Sequence, residues 1–466
     1  MTLPRIIQGG MGAGVSSWQL ARAVSRAGQI GVVSGVGLPL LLSRRLQSGD
    51  PGGHWRRALA HFPVAVIAER ILHDHFRQGR APFRAIPMHT ADDSASLLEL
   101  TVAANFCEVW LAKEGHDGLV GVNHLEKMQL PVLPSLYGAM LAGVDVVLMG
   151  AGIPREIPGV LDQLARQEAV SIALHVEGAA PGDDFRLRFD PRTIGASVPL
   201  RRPSFFAIVA SNVLATTMVR KATGRVDGLV IEGPTAGGHN APPRGPLTLN
   251  GHGEPVYGPR DEVDLDAIRA LGVPFWLAGG YATAGRLREA VERGAQGIQV
   301  GTAFAFSRES GLDEGIRHAL LLKARRGEAA VFTDPSASPT GFPFKVARLE
   351  GTLSERDVFD ARPRVCDLGY LRRPYKKPDG TLAYRCPAEP VEPYLRKGGG
   401  AEETSGRKCL CNALTANIGL PQVRGSGYVE PPLVTSGDDL AQLGRFLQPG
   451  EDSYSAGEVI RHILLM

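Results

Sequence analysis

The chain has 466 residues, of which 44% are hydrophobic and 21% charged, and its formal net charge is +3. This length suggests one large catalytic domain plus an addition, in the class of ordinary soluble globular enzymes. The small net charge gives no indication of nucleic-acid binding, and five cysteines in so long a chain exclude a disulfide scaffold.

The predicted elements begin at the N-terminus, which runs directly into an apolar strand without the features of an export signal. Short apolar runs predict strands at Arg5–Gln8, Ile30–Ser34, Phe83–Met88, Val144–Met149, Ser171–Val176, Phe205–Ala210, Gly228–Ile231, Pro274–Ala278 and Gly297–Val300. Helical patterns lie between many of them, most clearly at Ser17–Ala27 and Ala284–Arg293, with a closing helix at Leu312–Ala324. This alternation predicts the α/β class and a (β/α)₈ TIM barrel. Because more than eight strands are predicted, at least one is wrong or belongs to an insertion.

The longest apolar stretch, Leu130 to Pro154, contains Asp145, prolines and glycines, which indicates two buried elements and not a membrane span. We therefore expect a cytoplasmic protein with no membrane or nucleic-acid partner. The sequence leaves the oligomeric state open.

The barrel pattern weakens after about Phe306. We divide the chain into a catalytic barrel domain, 1–345, and a loop-rich C-terminal extension, 346–466. Within the extension, Arg348 to Tyr428 has little means of building its own core. The extension contains four of the five cysteines. Towards its end, a helix is predicted at Asp438–Phe446.

Two glycine motifs follow neighbouring predicted strands near the end of the barrel. Gly279-Gly280 ends one strand, and Gly301-Thr302 ends the strand that contains Gln299. Glycine lets backbone amides approach an anion, and the loops after the last two strands of such barrels commonly form a phosphate site. The alternative is a pair of tight turns, but two such motifs in succession favour a phosphate site.

His239 ends the motif Thr235-Ala236-Gly237-Gly238-His239, which follows the strand before these two. An imidazole on a loop at the active face can act as a general acid or base, or can hold an anionic substrate. The alternative is a histidine that only bonds loop backbone. A further turn, Gln8-Gly9-Gly10-Met11, follows the first strand and could bring backbone against a planar ring, with Met11 as a soft apolar contact.

Together these motifs resemble the nitronate monooxygenase family, formerly 2-nitropropane dioxygenases, and the related flavin-dependent enoyl-ACP reductases. The first turn matches the family's Gln-Gly-Gly-Met, and Thr235–His239 matches Glu-Ala-Gly-Gly-His except at its first position. Thr340-Gly341-Phe342-Pro343 matches the Thr-Gly-x-Pro element at the end of the family's core. The resemblance covers about residues 5 to 345.

The resemblance implies a flavoprotein oxidoreductase with FMN across the barrel mouth. The implied cofactor-binding residues are Gln8, Gly9, Gly10, Met11, Glu232, Gly237, Gly238, Gly279, Gly280, Gln299, Val300, Gly301 and Thr302, with His239 as the catalytic residue. A nitronate monooxygenase would oxidise alkyl nitronates with oxygen through a flavin semiquinone. The alternative is an NAD(P)H-dependent enoyl-thioester reductase of fatty acid or polyketide synthesis, with an acyl carrier protein as a partner and His239 as proton donor.

The sequence departs from the family pattern at the flavin ring and beside the substrate. The family usually has an asparagine on the third strand for the flavin ring, whereas Phe83–His89, our candidate for that strand, has none. Glu232 stands where nitronate oxidases often have glutamine and the reductases often have glutamate. Asn105 to Lys127 has no family counterpart and reads as an insertion. The similarity therefore implies the fold and cofactor, but not the substrate.

Four cysteines of the extension, Cys366, Cys386, Cys409 and Cys411, form a candidate metal site. Four thiolates could bind one Zn²⁺, or an iron–sulfur cluster, and supply folding energy that the extension lacks. The spacing lacks a Cys-x₂-Cys pair, so ordinary thiols and simple packing of this segment against the barrel remain alternatives.

A basic run in the extension, Arg372-Arg373 and Lys376-Lys377 with two interleaved tyrosines, could contact an acidic carrier protein or a nucleotide, or could be a solvated loop. A different class of hypothesis is a non-catalytic flavin-binding barrel whose extension is an interaction module. The intact glycine motifs and His239 argue against it.

Overall fold

The computed structural model describes residues 3–79 and 82–465. The elements up to the last barrel strand are β1 (Ile6–Gln8), α1 (Trp18–Arg26), β2 (Gly31–Ser34), α2 (Leu38–Gln47), α3 (His54–Ala60), α4 (Ala65–His75), α5 (Ala95–Lys113), β3 (Val120–Leu125), α6 (Val132–Leu141), β4 (Val146–Gly150), α7 (Ile157–Ala165), β5 (Val170–Ala173), β6 (Arg186–Phe189), β7 (Ser204–Val209), α8 (Asn212–Lys221), β8 (Gly228–Glu232), α9 (Leu265–Arg269), β9 (Phe275–Ala278), α10 (Ala284–Glu292) and β10 (Gly297–Val300).

The elements that follow are α11 (Thr302–Ala305), α12 (Glu314–Arg326), β11 (Val331–Asp334), β12 (Phe344–Ala347), α13 (Arg356–Ala361), β13 (Arg373–Lys376), β14 (Leu382–Arg385), α14 (Val391–Arg396), α15 (Leu410–Ala416) and α16 (Ala456–Leu464). Short 3₁₀ helices connect several of them, and the predicted helix Asp438–Phe446 is of this type.

Eight parallel strands form a closed barrel in the order β1-β10-β9-β8-β7-β4-β3-β2. Backbone bonds from Gln8 N to Ile30 O (2.9 Å) and from Ile30 N to Ile6 O (3.1 Å) join the two ends of this order. Apolar side chains from the strands fill the barrel, where the ring of Trp276 stacks on that of Phe206 with centroids 4.9 Å apart. The predicted (β/α)₈ barrel is confirmed.

Local sequence explains where the outer helices begin. Ser17 caps α1 by accepting a hydrogen bond from Leu20 N, and Thr283 caps α10 in the same way. The apolar residues of α1 recur at helical spacing and are buried, so one face of the helix packs on the barrel. Because the barrel strands are parallel and helices connect them, the carboxyl end of every strand, and the loop that follows it, lies on one rim of the barrel.

The prediction of the third strand is wrong. Residues Phe83–Met88 have no regular structure, and the third barrel strand is β3, inside the segment we interpreted as an insertion. The connection from β2 to β3 contains four helices, α2 to α5. Because this connection is so long, the strand after it was not recognised as the third strand of the barrel. The predicted strand Ser171–Val176 is also outside the barrel, because β5 pairs with β6 in an antiparallel hairpin.

The helix α5 is long and apolar enough to cross a membrane, and 72% of its apolar window is buried inside the molecule. It packs against α6, α1 and α2, so its composition fits a core helix of this fold.

The extension packs on the barrel and shares its hydrophobic cluster. Ile418, Val434, Leu440 and Ile463 belong to the same cluster of buried residues as the barrel helices. At the C-terminal end, Ser455 and Glu458 form a capping box that begins α16, and the Tyr454 hydroxyl donates to Ala303 O at 2.8 Å. The predicted domain boundary at residue 345 therefore stays a prediction, and the two parts that it separates share a core.

Candidate active site

The main cavity opens at the carboxyl rim of the barrel, with about 1470 Å³ of space between its atoms when its open mouth is included. Of the residues predicted to bind cofactor or act in catalysis, those lining it are Gly9, Gly10, Met11, Glu232, Gly237, Gly238, His239, Gly279, Gly280, Gln299, Val300, Gly301 and Thr302. Gln8 is fully buried below the rim, where its side chain donates to Ser16 Oγ (2.8 Å) and accepts from Val32 N (2.8 Å). Gln8 therefore braces strands and lies outside the cavity lining.

The two glycine motifs after β9 and β10 lie side by side because β9 and β10 are paired. Gly279 and Gly280 have φ angles of 100° and 70°, a region that disfavours residues with a Cβ. The Oε1 atom of Gln299 is buried without a hydrogen-bond partner in the described structure. An unpaired acceptor beside exposed backbone amides is a site where a polar ligand would complete the hydrogen bonding.

The turn Gln8-Gly9-Gly10-Met11, which follows β1, lies against β3. A Cβ built on Gly10 would be only 2.3 Å from Cβ of Asn123, so glycine is required for this close approach. Asn123 lies on β3, lines the cavity, and is 6% exposed. The expected third-strand asparagine is therefore present at position 123. The sequence signal was the run Val120–Leu125, whose strand character was missed.

His239 is held on the loop after β8 by the hairpin of β11 and β12. Its Nε2 lies 2.6 Å from Ser338 Oγ, and its ring packs edge-on against Phe344 with centroids 4.9 Å apart. Burial lowers the pKa of His239 to about 4, so its imidazole is neutral at neutral pH. A neutral imidazole can accept a proton, whereas the predicted role of a cationic anchor would need protonation on substrate binding.

Glu232 ends β8 inside the same cavity. Burial raises the pKa of its carboxyl group to about 7, so it changes charge near neutral pH. A glutamate in this state can donate a hydrogen bond when protonated and repel an anion when ionised. It is the titratable group of the cavity best placed to make activity depend on pH.

A segment of the extension, residues 434–439, closes one side of the cavity; we call it the strap. Gly437 N donates to Thr302 Oγ1 (3.0 Å), and Thr435 Oγ1 accepts from Gly238 N (2.9 Å). The strap thus connects the loop after β10, which contains Thr302, to the loop after β8, which contains His239. The sequence analysis did not find the strap, because it is distant from both loops along the chain.

The four cysteines of the extension line one small apolar cavity. Among the residues that the structure describes, however, no group of three or more His, Cys, Asp or Glu side chains has an arrangement that could hold a metal ion. Burial raises the pKa of the thiols of Cys409 and Cys411, whereas a hydrogen bond with Cys386 lowers the pKa of the Cys366 thiol. The predicted metal site has no support from this arrangement.

The basic run is largely engaged within the molecule. Arg372 donates to His89 O (2.7 Å), Arg373 donates to Pro339 O (2.7 Å), and Lys376 pairs with Asp183 (2.8 Å). These contacts join the extension to the barrel loops, and they leave fewer free cations for an acidic carrier protein.

Comparison with known proteins points to the family that the motifs resemble. Residues 201–335, which include β8 to β10 and His239, match the family model for nitronate monooxygenase. The similarity to the nitronate monooxygenase family thus covers this part of the chain. Most of the cavity motifs lie within the matched residues, whereas the strap lies outside them.

Two curated relatives illustrate the breadth of this relationship. A nitronate monooxygenase of Pseudomonas aeruginosa is 29% identical over 188 residues, which cover 40% of this chain and 48% of that protein. A Mycobacterium tuberculosis protein, (3aS,4S,5R,7aS)-5-hydroxy-7a-methyl-1-oxo-octahydro-1H-indene-4-carboxyl-CoA dehydrogenase, is 26% identical over 254 residues, 50% of this chain and 65% of that one. The aligned part therefore spans less than two thirds of each relative. A solved structure of FabK from Thermotoga maritima is similar with a TM-score of 0.47 and 18% identity, covering 99% of this chain and 91% of FabK.

Proposed function

We propose that the chain is an FMN-dependent oxidoreductase of the nitronate monooxygenase type, which oxidises alkyl nitronates. The observation that carries the proposal is the convergence, in one cavity, of the Gly279-Gly280 and Gly301-Thr302 loops, the unpaired Gln299 Oε1 and His239. The family relationship of residues 201–335 supports FMN as the cofactor.

The residues present fit FMN. The backbone of the two glycine loops would hold the phosphate, and Gly10 with Asn123 would face the ring, since only glycine allows their close approach. When bound, FMN supplies the electron acceptor for the substrate. The strap and β12 would shield the histidine side of the cavity from water.

His239 and Glu232 would have different roles towards the substrate. The neutral His239 imidazole would accept the α-proton of a nitroalkane, and Ser338 would hold its Nε2 in place. Ser338 Oγ also lies 2.8 Å from Thr340 Oγ1, so the hydroxyl that orients the ring is itself fixed. Below about pH 7 Glu232 would be uncharged and would not repel an anionic nitronate.

One observation favours a second candidate, an NAD(P)H-dependent enoyl-thioester reductase. Glu232 replaces the glutamine that nitronate oxidases often have, and a carboxyl group with a pKa of about 7 is suited to proton transfer. In that reaction His239 or Glu232 would supply the proton to the reduced double bond.

The two candidates are separated by anaerobic reduction of the purified protein with propyl-2-nitronate or NADPH, added separately. The proposal expects rapid loss of the flavin absorbance with the nitronate alone. Bleaching by NADPH alone would contradict it in favour of the reductase. A flavin-loaded protein that neither compound bleaches would instead support the non-catalytic barrel.

A further inference from the structure

A second cavity adjoins the candidate active site; we call it the side pocket. It is smaller than the main cavity and shares with it the lining residues Val36, Leu125, His239 and Leu414. The two spaces are therefore adjacent, and His239 lines both of them. A substrate positioned at His239 has the side pocket as its neighbour.

The side pocket is lined almost wholly by apolar groups. Leu40 and Met128 come from the barrel, and Leu371, Leu410 and Leu414 come from the extension. No Asp, Glu, Lys or Arg side chain lines it in the described structure. Its ionisable members besides His239 are uncharged near neutral pH, because burial raises the pKa values of Tyr370 and Cys411.

This lining selects among the parts of a substrate or cosubstrate. A nicotinamide, a phosphate or a pantetheine amide would lose its bonds to water there and find few partners, which is costly. A hydrocarbon chain would instead gain free energy from every methylene it buries. The shape of the pocket is set by one hydrophobic cluster that contains Met128, Leu371 and Leu410, so its walls are packed side chains.

We infer that the side pocket binds a hydrocarbon chain of the substrate, while the reacting group lies between His239 and the cofactor site. The inference rests on the proposed function, whose substrate class it narrows to compounds with an apolar chain beyond the reacting carbon. Six of the thirteen lining residues come from the extension, so the extension would set chain-length specificity.

Two measurements over one homologous series test the inference. The first is kcat/KM for linear alkyl nitronates from ethyl to octyl, followed by flavin absorbance. The second is isothermal titration calorimetry with the saturated carboxylates acetate to octanoate, which needs no turnover. Burial of each methylene should raise kcat/KM and affinity roughly threefold to fourfold until the pocket is full.

Variants at two residues that lie outside the FMN cavity change the pocket in opposite directions. Cys411→Phe should fill it and abolish the gain for the long chains while the ethyl compound reacts as before. Met128→Ala should enlarge it and move the plateau to longer chains, and this variant carries the test if Cys411→Phe does not fold. Leu395→Phe, at a residue 42% exposed, is the matched control and should leave the length dependence unchanged.

The outcomes distinguish the pocket from the proposed reaction. Bleaching by short nitronates with no dependence on chain length in either measurement would overturn the side pocket and leave the proposed function standing. Carboxylate affinity that rises with length, in a protein whose flavin no nitronate reduces, would uphold the pocket and overturn the proposed nitronate oxidation.

Discussion

At the scale of single residues, His239 is the group that distinguishes a reactive cavity from a binding cavity. His239→Ala should retain FMN, because the glycine loops remain, and should lower kcat/KM for the neutral nitroalkane 2-nitropropane by roughly 10²- to 10⁴-fold, the usual contribution of a general base. Stopped-flow kinetics and the flavin spectrum check both parts. His252→Ala, in an exposed loop, is the control. An unchanged kcat/KM would remove His239 from the mechanism.

Glu232 gives a second expectation at this scale, a pH dependence. Its pKa of about 7 means that the carboxyl group ionises as the pH rises through neutrality, bringing a negative charge beside an anionic nitronate. We expect KM for propyl-2-nitronate to increase above pH 7 in the wild type and to stay level in Glu232→Gln. Steady-state kinetics between pH 6 and pH 9 test this. The same increase in the glutamine variant would assign the titration to another group.

At the scale of elements, the loop after β10 can be tested without disturbing the fold. A Cβ built on Gly301 meets only the side chain of Met11, with Sδ at 3.5 Å and Cγ at 3.8 Å, which are ordinary contacts, and the φ of Gly301 is −103°. Gly301→Val should therefore fold but block the backbone approach of the cofactor, so that the protein purifies with little FMN. Gly251→Val, where an added Cβ meets nothing within 4 Å, is the matched control. A Gly301→Val protein with full FMN content would show that the phosphate lies elsewhere.

The elements also show how far the sequence determines the site. Glycine motifs and His239 could be predicted, because each directly follows a strand with a clear apolar pattern and parallel strands bring such ends together. The position of Asn123 could not be predicted, because four helices separate β2 from β3 and another segment was therefore predicted as the third strand. The strap could not either, because nearly 200 residues separate Gly238 from Thr435, which is bonded to it.

At the scale of the whole molecule, residues of the barrel helices and of the extension share one hydrophobic cluster, and the buried ion pair of Arg362 with Glu430 lies within the extension. Because the two parts share a core, we expect full-length protein to unfold in a single calorimetric transition. A fragment of residues 1–345 should expose the apolar faces that the extension covers and should fail to bind FMN. Two separated transitions, or a stable flavin-loaded fragment, would favour independent domains.

The central claim, that the cavity at the barrel's carboxyl rim holds FMN, is tested most directly by the cofactor content of the purified wild-type protein. Heat denaturation should release flavin that mass spectrometry identifies as FMN, in a ratio close to one per chain. Protein that contains no flavin, and that binds none when titrated with FMN, would contradict the account.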